Sequence, residues 1–122
     1  MAKTIMIVDD SASMRQVIGI ALKDAGYDLI EAGDGKEALS KLDGTKIHLI
    51  VSDINMPNMD GITFVKEVKQ LAKYRFTPII MLTTEVNQAK KDAAKEAGAK
   101  AWVTKPFQPK TLLEAVSKLI LP

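Results

Sequence analysis

Five short apolar runs alternate with five amphipathic stretches, and three of the runs, IMIVD, HLIVSD and PIIMLT, are apolar at nearly every position. A strand with one wet face alternates apolar and polar residues, whereas a strand covered on both faces has no such need. The pattern therefore predicts an α/β fold in one domain spanning residues 1–122, with helices on both faces of a parallel sheet. Strands are expected at Thr4–Asp9, Tyr27–Glu31, Ile47–Asp53, Pro78–Thr83 and Ala101–Thr104.

Between the runs the period changes. Met14, Val17, Ile18, Ala21, Leu22 and Ala25 recur at helical spacing, which predicts one apolar stripe closed by Gly26 as C-cap. Ala38, Leu39 and Leu42 mark a second helix ending near Gly44. Ile62, Val65, Val68 and Leu71 mark a third, and Leu112, Leu113, Val116, Leu119 and Ile120 a fifth. The fourth, Val86 to Ala97, has almost only alanine at its inward positions, so it buries little apolar area and should be the loosest helix.

At 122 residues the chain is long enough to bury roughly two thirds of its unfolded surface. No segment approaches the ~20 apolar residues of a membrane span, and the first apolar run ends in Asp9-Asp10, unlike a signal peptide. The expectation is a cytoplasmic protein without membrane insertion. Cysteine is absent, which excludes disulfides and thiolate metal sites, so any metal is held by oxygen or by His48. His48, at the start of the third strand, is expected on the surface and away from any site. Residues 1–61 carry 6 basic and 10 acidic side chains, residues 62–122 carry 11 and 5. These lysines are spread over several helices among acids, without interleaved aromatics, which argues against nucleic acid as a partner.

Parallel strands joined by helices end on one edge of the sheet, the edge where open α/β folds bind ligands. The first run ends in Asp9-Asp10, the third in Asp53, the fourth in Thr83-Thr84 and the fifth in Thr104-Lys105. Three carboxylates, a hydroxyl and an ammonium are thereby expected together. Clustered carboxylates resist joint ionisation unless a cation joins them. Oxygen ligands suit a hard ion such as Mg²⁺, for which Asp10 and Asp53 are the candidate ligands with Asp9 behind them. Helix capping explains Asp60 but not an adjacent aspartate pair, a third aspartate on another strand and a lysine at the end of the fifth.

The segments IVDDSASMR, VSDINMPNMDG, MLTTE and VTKPF, each at an expected strand end, resemble those of response-regulator receiver domains of the chemotaxis type, over Lys3 to Leu121. The resemblance implies a flavodoxin-like (βα)5 fold with strand order 2-1-3-4-5. It implies that Asp53 accepts a phosphoryl group from a histidine kinase of chemotaxis type or from a small donor such as acetyl phosphate. It further implies Mg²⁺ on Asp10, Asp53 and the carbonyl of Asn55, with Asp9 reaching the ion through water. Lys105 and Thr83 are the implied phosphoryl contacts, Trp102 the implied switch aromatic in place of the usual Tyr or Phe, and Asn55 and Glu85 the implied tuners of dephosphorylation. The Lys105-Pro106 bond is implied to be cis. Such a chain is not an enzyme toward external substrates but catalyses its own phosphorylation and dephosphorylation.

Two other classes share parts of this chemistry. Dehalogenase-type phosphatases place a D-x-D nucleophile on the first strand and add a cap domain, whereas here the aspartates are adjacent. In a flavodoxin-like FMN carrier, Asp9 and Asp10 would repel the flavin phosphate. Because the chain ends at Pro122 after the fifth helix, the expectation is a stand-alone, monomeric regulator. Its altered face, formed by the fourth helix, fifth strand and fifth helix, would be read by a target such as the flagellar motor switch protein, with a phosphatase as a further partner. A receiver serving only as a phosphate sink is the alternative.

Overall fold

The computed structural model describes residues 3–84 and 88–120. Its elements alternate strictly: β1 (Thr4–Val8), α1 (Ala12–Asp24), β2 (Asp28–Ala32), α2 (Gly35–Lys41), β3 (Leu49–Asp53), α3 (Gly61–Gln70), β4 (Ile79–Thr83), α4 (Gln88–Ala97), β5 (Ala101–Thr104) and α5 (Pro109–Leu119). The strands form one parallel sheet in the order β2-β1-β3-β4-β5. All five residues of β3 and of β4 are buried, which is why their sequences do not alternate.

Successive side chains of each strand point to opposite faces, and the core divides accordingly. Met6, Val8, Ile50, Ile79 and Met81 pack with Ala38 of α2, Phe64, Val65 and Val68 of α3 and Ala94 of α4. Ile5, Ile7, Leu49, Val51, Ile80 and Leu82 pack on the other face with Ile18 and Leu22 of α1 and Leu112 and Val116 of α5. Ala94 is the buried residue of α4, in keeping with the small apolar area its alanines offer.

Several helix expectations need correction. Val17 is 54% exposed and Ala25 is also exposed, because the buried stripe of α1 runs through Ile18, Gly19 and Leu22; Leu71, 37% exposed, is the C-cap of α3, past its last helical residue. The C-cap of α1 is Ala25; Gly26 follows it at φ +97°, where a side chain would be strained. Helix α2 stops at Lys41 with Leu42 as its cap, three residues before Gly44. The expected start of the fourth helix, at Val86, lies outside the described residues. No helix among the described residues is long and apolar enough to cross a membrane.

One side chain ties the end remote from the strand C-termini. Tyr74 is 3% exposed; its hydroxyl donates to the Thr45 carbonyl (2.7 Å) and accepts from the Gly44 N–H (2.9 Å). Tyr74→Phe removes both bonds and releases the exposed Gly44–Thr45 backbone from the buried ring. It is expected to cost about 1–2 kcal/mol in urea unfolding, with faster amide exchange at residues 43–46. A loss below a few tenths of a kcal/mol would show the tie to be idle.

Candidate functional site

The strand order reverses between β1 and β3, so the crevice beyond their C-terminal ends is where an α/β sheet leaves room for a ligand. Register aligns the ends. Val8 pairs with Ser52, Asp53 with Leu82 and Thr83 with Thr104. Backbone bonds carry the alignment one residue further, from Asp9 N–H to Ala32 O (3.1 Å), Ile54 N–H to Leu82 O (3.1 Å) and Lys105 N–H to Thr83 O (2.7 Å).

Asp9, Asp10 and Asp53 converge here, each with a carboxylate oxygen within 4.8 Å of the others. Asp9 is 1% exposed and Asp53 7%, whereas Asp10 faces solvent. The Lys105 ammonium lies 3.0 Å from Asp9 Oδ2 and 3.5 Å from Asp53 Oδ2. The Lys105-Pro106 bond is cis, as the resemblance implied. Asp9 is committed on both oxygens, since its Oδ1 accepts from Ser11 N–H at 2.9 Å. Burial pushes the Asp53 carboxyl above its ordinary pKa; Lys105 opposes the shift, Asp9 adds to it, and the N–H groups of Asn55 and Ile54 oppose it.

This donor set fits a hard divalent cation: all its side-chain ligands are carboxylate oxygens, two of the three are buried, and one ammonium leaves their charge undercompensated. Thr83 is fully buried at the end of β4, beside the Asp53 strand. Asn55 is exposed in the loop that follows Asp53. Glu85 lies outside the described residues. Asp60 is the N-cap of α3 and accepts from Thr63 N–H at 2.8 Å, the capping role its sequence suggested. His48 stays away from the site; its Nδ1 accepts from Thr4 N–H at 3.0 Å.

Trp102 is half-buried against the α4 side of the core, with Lys91 Nζ 5.6 Å from its ring centroid. Its Nε1 is buried without a hydrogen-bond partner among the described residues. A cavity of about 490 Å³ opens beside it between α4 and β5, lined by Lys91, Lys95, Lys100 and Trp102 among others.

The sequence reading missed two groups of residues beside the site. Arg15 donates from Nη1 to the Asp9 carbonyl (2.5 Å) and from Nε to Glu31 (3.3 Å), fixing the turn that carries both aspartates. Its place in the first turn of the helix after the acidic pair was a readable signal. Asn58 reaches from the β3–α3 loop to Asp34 at 2.9 Å, a contact between residues 24 apart that no local pattern announces.

A response regulator receiver domain model matches residues 5–117. The chain is 39% identical over 120 residues to the chemotaxis protein CheY1 of Helicobacter pylori, covering 95% of each. It is also 39% identical to the alkaline phosphatase synthesis transcriptional regulatory protein PhoP of Bacillus subtilis, covering 98% of this chain and 49% of that one. Among solved structures, the chemotaxis protein CheY4 of Vibrio cholerae superposes with a TM-score of 0.93 at 45% identity, over 98% of this chain and 99% of that one. The receiver domain of a sensor histidine kinase from Pseudomonas aeruginosa, solved with a magnesium ion coordinated in its active site cleft, gives 0.90 at 26% identity, over 98% of each. With a family model spanning almost the whole sequence, and with fold and acidic crevice both in keeping, the chain belongs to the response regulator receiver domain family.

Proposed function

We propose that Asp53 is the phosphoacceptor of a cytoplasmic, stand-alone regulator of the chemotaxis type. The observation that carries this reading is Lys105 Nζ held beside Asp9 and Asp53 at the strand edge where three carboxylates meet. Asp10, Asp53 and the Asn55 carbonyl would hold Mg²⁺, with Asp9 through water. When bound, the ion neutralises negative charge on the transferring phosphoryl group.

An Asp53 oxygen attacks phosphorus, a new O–P bond forms, and the bond to the leaving imidazole or acetate breaks with its electron pair. Burial keeps the nucleophile still at the end of a rigid strand, and Lys105 compensates the equatorial oxygens. The Thr83 hydroxyl then hydrogen-bonds the acyl phosphate. Water attack on that phosphate, tuned from positions 55 and 85, returns the aspartate, so the protein turns over only its own adduct. Incubation with acetyl phosphate and Mg²⁺ is expected to add one base-labile phosphoryl group by intact mass. Asp53→Asn should remain unmodified; a stable adduct on that variant, or an inert wild type, would sink the assignment.

Inward movement of Thr83 frees space between β4 and β5, which Trp102 fills, shifting α4 with little packing to oppose it. The α4-β5-α5 face then changes its affinity for a target such as the flagellar motor switch protein. Beryllofluoride with Mg²⁺ is expected to shift the emission of Trp102 and the amide exchange of α4. Silence in both would remove this relay. The alternative, a phosphate sink that engages a histidine kinase but no motor, predicts that pull-downs with and without beryllofluoride recover the same target-free set.

A further inference from the structure

The loop from Ile54 to Asp60 carries the Asn55 carbonyl and is exposed at Asn55, Pro57, Asn58 and Asp60. Met56 and Met59 are partly buried against the core, and hydrogen bonds fix the loop at its base and its tip. At its base, Gly61 N–H donates to Ile54 O at 2.7 Å, closing the loop on itself. Its tip is tied to a different element, the first turn of α2. Asn58 Nδ2 donates to Asp34 Oδ2 at 2.9 Å, and Asp34 uses its other oxygen to cap α2, accepting from Glu37 N–H at 2.8 Å. Asn58 sits at φ +68°, a left-handed conformation that asparagine tolerates better than most residues. Met59 reinforces the tie: a Cβ added at Gly35 would lie 3.0 Å from its Sδ and 3.1 Å from its Cβ and Cγ, so a side chain there would push the loop outward by a few tenths of an ångström. Glu37 completes the anchor by accepting from Gly33 N–H at 2.8 Å, which fixes the approach to α2.

We propose that Asp34 and Asn58 form a clasp that positions the ion-binding loop, so that a residue on the α2 cap sets Mg²⁺ affinity at Asp53 without touching the ion. The inference rests on the proposed ion site and adds positioning residues to it. The physical reason is preorganisation: a loop held at its base and by the partly buried Met56 and Met59, but with its polar tip untied, must be ordered further when its carbonyl is recruited, and that ordering weakens binding.

The test is Mg²⁺ titration of the unphosphorylated protein by calorimetry, with amide exchange of residues 55–60 as a second readout. Asn58→Gly keeps the left-handed backbone and removes the amide; Asp34→Ser keeps a good helix cap but is too short to serve two partners. Each is expected to raise the Mg²⁺ Kd about tenfold and to speed exchange in the loop, and the double variant should be no worse than either. Asp34→Asn separates hydrogen bonding from charge. It also caps α2, and with the Asn58 amide turned over the two amides pair, so near-wild-type affinity is expected despite the lost charge. If Asp34→Asn is as weak as Asp34→Ser, the carboxylate acts through charge and the clasp is refuted. If wild type binds Mg²⁺ and both single variants match it, the clasp is refuted while the ion site stands. A wild type that binds no Mg²⁺ overturns the ion site and the clasp together.

Discussion

Gly61→Ala is expected to destabilise the protein by about 3 kcal/mol and to lower its melting temperature by roughly 10 °C. The glycine opens α3 where that helix passes directly over the end of β3. A Cβ built there would press into the carbonyl oxygen of Asp53 and lie 2.8 Å from both Ile54 Cα and Met81 Cε. Two of those three atoms are backbone, so no rotamer change relieves the clash. Either α3 lifts, uncovering Phe64 and Val65 of the core, or the Asp53–Ile54 backbone moves. The second course displaces the proposed phosphoacceptor itself, and phosphorylation by acetyl phosphate should fall along with stability. Urea unfolding and intact mass on the same sample measure both. A loss below about 0.5 kcal/mol with a normal phosphorylation rate would show that the helix accommodates a methyl group freely.

In Mg²⁺-free buffer at pH 7, Asp53→Asn and Lys105→Met are expected to shift stability in opposite directions, up by about 1 kcal/mol for the first and down by about 2 for the second. Three carboxylates share one contacting ammonium, so the crevice carries excess negative charge that the proposed cation would offset. Removing a carboxylate relieves repulsion. Removing the ammonium leaves Asp9, at 1% exposure, and Asp53, at 7%, without their cation. The pH dependence follows from the direction of the Asp53 shift. Its folded pKa is raised by burial above the ordinary 3.8, so the ionised group costs stability at pH values above its folded pKa and the cost disappears on acidification. The gain from Asp53→Asn should therefore be largest near neutrality and vanish as the pH falls toward 4. Adding Mg²⁺ should raise wild-type stability by mass action and erase the advantage of the variant. Equal stability of wild type and Asp53→Asn across this range would mean that the carboxylates are already neutralised by groups other than the ion.

Much of the fold could be read from the chain before any coordinates. The unbroken apolar runs of β3 and β4 required two covered faces, and a parallel sheet with interleaved helices meets that requirement. Parallel strands share an edge, so Asp9, Asp10, Asp53, Thr83 and Lys105 could be assigned to one crevice from the residues that end each run. Capping at Asp60 was equally local, because a cap and its helix are neighbours in sequence.

What tertiary structure decided was anything that depends on two elements meeting side to side. Helical periodicity marks a stripe but not its width, so Val17 joined the inward set in sequence although the residues of α1 that are buried are Ile18, Gly19 and Leu22. The Tyr74 tie to Thr45, the Arg15 bridge to Glu31 and the Asn58 reach to Asp34 couple segments brought together only once the sheet has closed. Hydrophobic patterning is a one-dimensional signal, because burial follows the period of the local backbone. Hydrogen bonds between loops depend on distances that no period encodes, and these distances determine how firmly the acidic crevice is held.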